Sequence, residues 1–180
     1  MSIAIETRSI IRRHAGGRPI GVDVGIAHFA TLSDGDTDAH IPNIRPRSAR
    51  EKAMRTIQEG RWRAAPVDRG IAGRLKAALA QLQRPIAAAR ATYQHRVSAR
   101  LTRDHPMIFV EALRVKNMLC SAAGTVEAPG TNVAAKRGLN RAMTDVAMAK
   151  FIQLLTFKAA RAGGILRKVD ARYTSQACSA

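Results

Sequence analysis

Short apolar runs and long amphipathic stretches divide this chain into two kinds of segment. The stretch "RPIGVDVGIAHFATLSDGDTDAHIPN" reads as a strand, a turn at Asp34 and Gly35, and a second strand, because Asp-Gly between apolar stretches signals a hairpin. In "HPMIFVEALRV", Pro106 opens an apolar run of strand length and Glu111 stands where the run turns polar. "GILRKVDARY" predicts a third core strand. By contrast, "RLKAALAQLQRPIAAARATYQHRVSARL" spaces Leu75, Leu79, Leu82, Ile86, Ala89, Tyr93, Val97 and Leu101 three or four apart. That is one helical stripe, which Pro85 should kink or split. A further helix is expected from about Leu139 to Ala162, with Met143, Ala147, Phe151 and Leu154 on one face and Gly163-Gly164 as its stop. "CSAAGTVEAPGTNVAAKRG" has the small and polar content of a loop. The order is hairpin, helical insertion, strand, loop, helix, strand, a mixed α/β plan without internal repeats.

One position disturbs this pattern. Asp23 lies between Val22 and Val24 in what reads as a buried strand, where an unpartnered carboxylate would cost several kcal/mol. Glu111 ends another apolar strand, and if the two strands are neighbours in one sheet their carboxylates converge. Converging carboxylates suit magnesium, a hard cation that takes oxygen ligands and pairs with phosphates. Two such ions, roughly 3.5 to 4 Å apart, would support phosphodiester hydrolysis. Gly21 and Gly25 would let a phosphate backbone approach closely. The plainer reading is an aspartate capped by backbone amides or on a solvated edge, and a glutamate at the surface; spacing alone does not choose between the two.

Composition narrows the partners. With 180 residues, 46% of them hydrophobic, the chain has enough apolar material for one sizeable core. No run approaches the roughly 18 apolar residues of a membrane span, and "MSIAIETRSIIRRH" lacks the order of a signal peptide, so an intracellular protein is expected. Cys120 and Cys178 are too few for a disulfide framework, in keeping with a reducing compartment. The net charge of +17 favours nucleic acid first among polyanionic partners. Most of it is concentrated between Arg45 and Arg103, where fifteen Lys and Arg face only Glu51, Glu59 and Asp68.

The segments "GVDVGIAHFATLSDG", "IFVEALRVKNML", "KRGLNRAMTD" and "KVDARYTSQACSA", in this order, resemble the TnpB proteins, the OrfB-family transposases of bacterial insertion sequences. The resemblance runs from about Ile20 to Ala180 and matches the basic block in character only. It implies an RNA-guided DNA endonuclease with an RNase H-like, RuvC-type mixed sheet and a basic helical insertion. On that resemblance Asp23 and Glu111 are catalytic and hold magnesium or manganese. Cys178 opens a zinc ribbon, and guide RNA and target DNA are the partners. The basic insertion would lie along the RNA–DNA heteroduplex, recognised by shape and backbone. Phosphate contacts are assigned to Arg50, Arg55, Arg74, Lys136, Arg137 and Arg172. The implied organisation is an N-terminal remnant at 1–18, a first nuclease part at 19–45, the insertion at 46–104, a second nuclease part at 105–172 and the start of a zinc ribbon at 173–180.

Departures from the family pattern set the expectation for activity. The chain stops one residue before the expected partner of Cys178, and the third catalytic aspartate and the large N-terminal region are missing, apart from a possible strand at "SIAIETR". Ala171 replaces a usual proline, and "AMAKF" stands where a glycine and tryptophan are common. An internal piece of a longer protein is therefore expected, one that binds nucleic acid without cutting it efficiently. Asp170 follows an apolar strand, but its position matches the approach to the ribbon, and Asp145 reads as a local helix or RNA contact. His28, His40 and His95 lack partners at metal-ligand spacing and read as surface or core histidines. Cys120 reads as an inert thiol, and Trp62 and Tyr93 as core residues that could otherwise stack on bases. Two alternatives remain: a nuclease-dead binding remnant, and an actin-like ATPase or kinase, whose phosphate-loop strand "GVDVG" also resembles. Against the second stand Ile26-Ala27-His28, where a phosphate loop would place Thr or Ser, and the strongly basic charge.

Overall fold

The computed structural model describes residues 17–34 and 38–170. The possible strand at "SIAIETR", Gly35, Arg172, Cys178 and the expected ribbon at 173–180 lie outside them. Five strands form one mixed sheet in the order β3-β2-β1-β4-β5. These are β1 (Ile20–Val24), β2 (His28–Ser33), β3 (Asp38–Pro42), β4 (Met107–Glu111) and β5 (Ile165–Val169). The first three form an antiparallel meander, and β4 and β5 add to β1 in parallel.

The expected single hairpin is thus two. An extra reversal at Gly25–Ala27 separates β1 from β2, closed by the Gly25 N–H donating to the Phe29 carbonyl at 3.3 Å. Asp34 falls in the second reversal, between β2 and β3. The third core strand is a correction of another kind: β5 occupies a sheet edge and its residues are mostly exposed.

The basic block folds as a 3-10 turn (Ser48–Arg50), α1 (Glu51–Ala64) and α2 (Arg69–Asp104). Asp68 caps α2, its carboxylate accepting from the Gly70 and Ile71 N–H groups at 2.7 and 3.0 Å. At 36 residues α2 is about 54 Å long at 1.5 Å per residue. Pro85 does not divide it; the proline sits inside the helix and is exposed to solvent. The apolar stripe has two uses. Its first half packs on α1 through Met54, Leu79 and Ile86, while Tyr93, Val97 and Leu101 reach the sheet core.

That core lies on one face of the sheet. Ile20, Val22, Val24, Phe29, Leu32, Ile108 and Val110 pack against Leu101, Met143, Val146, Phe151 and Leu155 from the helices. Phe151 is fully buried, edge-on to Phe29 with ring centroids 4.7 Å apart.

The loop after β4 carries a short helix, α3 (Val115–Met118), and then leads to two helices where one was expected. α4 (Val133–Val146) and α5 (Met148–Ala162) are separated by Ala147, whose left-handed backbone (φ 53°, ψ 51°) ends one and starts the other. A helix end leaves carbonyls without intrahelical donors. Here the fully buried Gln94 of α2 donates from Nε2 to the carbonyls of Val146 and Ala147, at 2.8 and 3.3 Å. Gly163 ends α5 at φ 74°, and the Gly164 N–H returns to the Ala159 carbonyl at 2.9 Å.

Candidate active site

Residues alternate across a strand, so Ile20, Val22 and Val24 face the helices while Gly21 and Asp23 face the other way. Asp23 is therefore exposed, on a face that no helix among the described residues covers, rather than buried. Its position therefore needs no metal to be tolerated, and strand register rather than burial sets its neighbours. The parallel β1/β4 register pairs Ile20 with Ile108 and Val22 with Val110, and one further step sets Asp23 beside Glu111. Asp23 also pairs with Thr31, Thr31 with His40, and Glu111 with Val169. One row, His40–Thr31–Asp23–Glu111–Val169, thus crosses all five strands.

A shallow cavity of about 330 Å³ opens over the carboxylates, walled by Gly21, Thr31, Ser33, Phe109 and Val169. Gly21 leaves that wall low, since a Cβ there would come within 3.3 Å of the Ser33 carbonyl oxygen. Partial burial, and then the negative charge of Asp23, raise the pKa of Glu111 above its ordinary 4.5. The folded state therefore holds the Glu111 proton more tightly than the unfolded chain does. The stability this contributes is present below pH 4.5 and is lost as pH rises through the raised value. Glu111→Gln should melt progressively higher than wild type as pH rises above 4.5 without divalent cations, as thermal denaturation across pH 4 to about 8 would record.

The two carboxylates supply the oxygen donors magnesium prefers, and their mutual repulsion is what a cation would relieve. Among the described residues no group of three or more His, Cys, Asp and Glu could hold a metal ion. Asp170 follows the end of β5 without completing such a group. Asp145 is structural, accepting from Arg90 Nη2 at 2.9 Å and from the Arg47 N–H at 3.3 Å.

His28, His40 and His95 are at the surface. His28 and His40 stack with ring centroids 4.2 Å apart, and the Thr31 hydroxyl meets His40 Nδ1 at 3.3 Å. The His95 side chain is exposed, and its backbone carbonyl accepts from Lys158 Nζ at 2.6 Å and from Ser98 Oγ at 3.2 Å. Cys120 is exposed, its thiol 3.7 Å from the Lys116 carbonyl.

The aromatic residues divide. Tyr93 is half-buried, its hydroxyl donating to the Pro42 carbonyl, whereas Trp62 is 83% exposed on α1 and not in a core. Arg50, Arg55, Arg74 and Arg137 are exposed, Arg55 pairing with Glu59 at 3.4 Å. Lys136 is half-buried and donates to the Met118 carbonyl at 2.6 Å.

Fold and site together define a mixed-sheet α/β protein with a basic helical hairpin and paired carboxylates on its open face. The family model OrfB_IS605, described as "Probable transposase", matches residues 2–122, and the chain belongs to that family. A second model, the Cas12f1-like TNB domain, matches residues 149–180. The chain is 34% identical over 179 residues to "Putative RNA-guided DNA endonuclease InsQ" of Escherichia coli (strain K12), covering 98% of this chain and 44% of that protein. It is 30% identical over 164 residues to "Putative RNA-guided DNA endonuclease Rv2885c" of Mycobacterium tuberculosis (strain ATCC 25618 / H37Rv), covering 89% of this chain and 34% of the relative. The chain thus spans less than half the length of these relatives. Among solved structures, a Cas12f1-sgRNA-target DNA complex aligns with 99% of this chain and 40% of its own, at a TM-score of 0.47 and 16% identity. The transposase family takes the place of the actin-like ATPase alternative. No helix among the described residues is long and apolar enough to cross a membrane.

Proposed function

We propose that these residues form the RuvC-type, RNase H-like nuclease core of an RNA-guided DNA endonuclease of an insertion sequence. The observation that carries this reading is the placement of Asp23 and Glu111 side by side, from adjacent parallel strands, on the face of the sheet opposite the core. Membership of the transposase family and the names its relatives carry support guide RNA and target DNA as partners.

Asp23 and Glu111 would hold magnesium or manganese, which when bound activates water and stabilises the leaving oxygen of a phosphodiester. The chain's own residues do the positioning. Gly21 keeps the approach to the carboxylates open, and the exposed arginines of the turn and of α1 and α2 attract the nucleic-acid backbone. The exposed indole of Trp62 offers a surface on which a base could stack. Cys178 would belong to a zinc ribbon, and the protein would act in the cytoplasm alongside the nucleoid.

The second reading, binding without efficient cutting, is favoured for these 180 residues because no third metal-ligating side chain joins the pair among the described residues. Incubating the purified chain with plasmid and magnesium decides between them. Retarded but uncut plasmid is expected. Cutting that disappears in Asp23→Ala would establish nuclease activity and overturn the inactive reading. Failure to bind either RNA or DNA at low salt would overturn the nucleic-acid reading altogether.

A further inference from the structure

Four basic side chains converge on a cavity that the carboxylate face does not use. It measures about 250 Å³ and lies between the segment before the 3-10 turn, the chain at 119–122 and α4. Arg47, Lys136, Arg137 and Arg141 line it, with Ser121 and Asn140, and among the described residues no acidic side chain is in its wall. It belongs to the helical layer, since Met143 and Val146 of the same α4 enter the core beneath the sheet.

The wall is fastened in place. The Arg47 N–H donates to Asp145, which Arg90 holds at 2.9 Å from α2. Asn140 Nδ2 donates to the carbonyls of Leu119 and Cys120 at 2.9 and 3.3 Å, and Lys136 Nζ donates to that of Met118. Arg141 Nε lies 3.6 Å from Glu51 on α1.

What remains unused is cationic. Lys136 spends one of its three N–H donors on Met118, and Arg47 Nε is buried with no hydrogen-bond partner. A concavity lined by four cations and no carboxylate concentrates positive potential, and arginine forks match the oxygens of a phosphate. The volume suits one phosphate with its immediate substituents and is below that of pockets for larger organic ligands, which start at roughly 300 Å³.

We propose that this cavity is a phosphate seat, with Arg47 and Arg137 as its principal ligands, and that the phosphate it takes is one residue of a nucleic-acid backbone. The source of the phosphate rests on the nucleic-acid reading above; the oxyanion chemistry rests on the cavity alone. The seat concentrates binding on α4 and its facing loop, away from the long helices that carry most of the basic block.

The test compares Arg47→Gln/Arg137→Gln with Arg84→Gln/Arg96→Gln, a pair of equal charge change on the exposed surface of α2. Binding of a fluorescent oligonucleotide of about 12 nucleotides, as RNA and as DNA, is measured across a salt series. The cavity pair should lose about tenfold more affinity than the α2 pair, with a salt slope shallower by about 0.7, the share of one phosphate on a single strand. Inorganic phosphate, at constant ionic strength, should displace the oligonucleotide from wild type and raise its melting temperature, but not that of the cavity pair. Arg137→Gln alone, at an exposed position, guards against misfolding of the double variant and should reproduce part of the loss. Phosphate stabilisation without oligonucleotide binding would uphold the seat and remove its nucleic-acid source. Equal losses in both pairs, with no response to inorganic phosphate, would overturn the seat while leaving nucleic-acid binding intact.

Discussion

Affinity for duplex nucleic acid is expected to fall by about a thousandfold between roughly 50 and 200 mM monovalent salt. The reasoning is electrostatic. Each neutralised phosphate releases condensed counterions, giving a slope of about −0.9 in log affinity against log salt, so about six contacts produce a fall of that size. Arg50, Arg55, Arg74 and Arg137 are all exposed, and among the described residues only Arg55 of these four pairs with a carboxylate, a solvent-exposed contact with Glu59 that contributes little. The helical hairpin of α1 and α2 sets such charges along a rod about 54 Å long, enough to follow several phosphates. Fluorescence anisotropy over a salt series gives the slope directly. A flat response would mean that the basic block is a solvated surface without a polyanionic partner.

The second large effect is on stability. Phe151→Ala should cost about 3 to 5 kcal/mol, a large fraction of the roughly 5 to 15 kcal/mol available to a folded domain. Phe151 is fully buried on α5, edge-on to Phe29, which in turn meets Tyr93 edge-on at 5.1 Å. One truncation therefore loosens the contact of β2 with both α5 and α2. Phe157→Ala, on the same helix but 58% exposed, is the control and should shift stability by no more than about 0.5 kcal/mol. Paired denaturation curves would show a melting point lowered by on the order of 10 °C in the first variant and nearly unchanged in the second. Equal effects would mean that the sheet does not depend on this aromatic contact.

Much of the architecture is legible along the chain because it follows from local periodicity. The apolar stripe from Leu75 to Leu101 does serve as a packing face, although Ala89 on it is exposed and Gln94 and Ser98 beside it are buried. The errors arise where tertiary contacts overrule local signals. No glycine or proline marks the break at Ala147; it is supported by Gln94, some fifty positions earlier in sequence, donating to the freed carbonyls. Pro85 fails to split α2 because a long helix anchored at both ends, on α1 and on the sheet, tolerates one missing backbone donor.

The site was legible in its residue types but not in its setting. That Asp23 and Glu111 belong together depends on β1 and β4 being neighbours, which no local pattern states. The exposure of Asp23, however, was implicit in Val22-Asp23-Val24, since strand alternation sets the aspartate opposite both valines. Arg47 and Arg141 carried no distinguishing signal among thirty basic residues, because what separates them is a shared cavity and an unpartnered buried atom.

The one-sided sheet has an evolutionary consequence. On the proposed function, chemistry and folding would draw on opposite faces of the same strands, so the residues that would cut nucleic acid are not among those that form the core. A lineage could lose Asp23 or Glu111 by a single substitution and keep a folded, strongly basic protein. Descendants retained for grip rather than for cutting are therefore only one mutational step away from their ancestor.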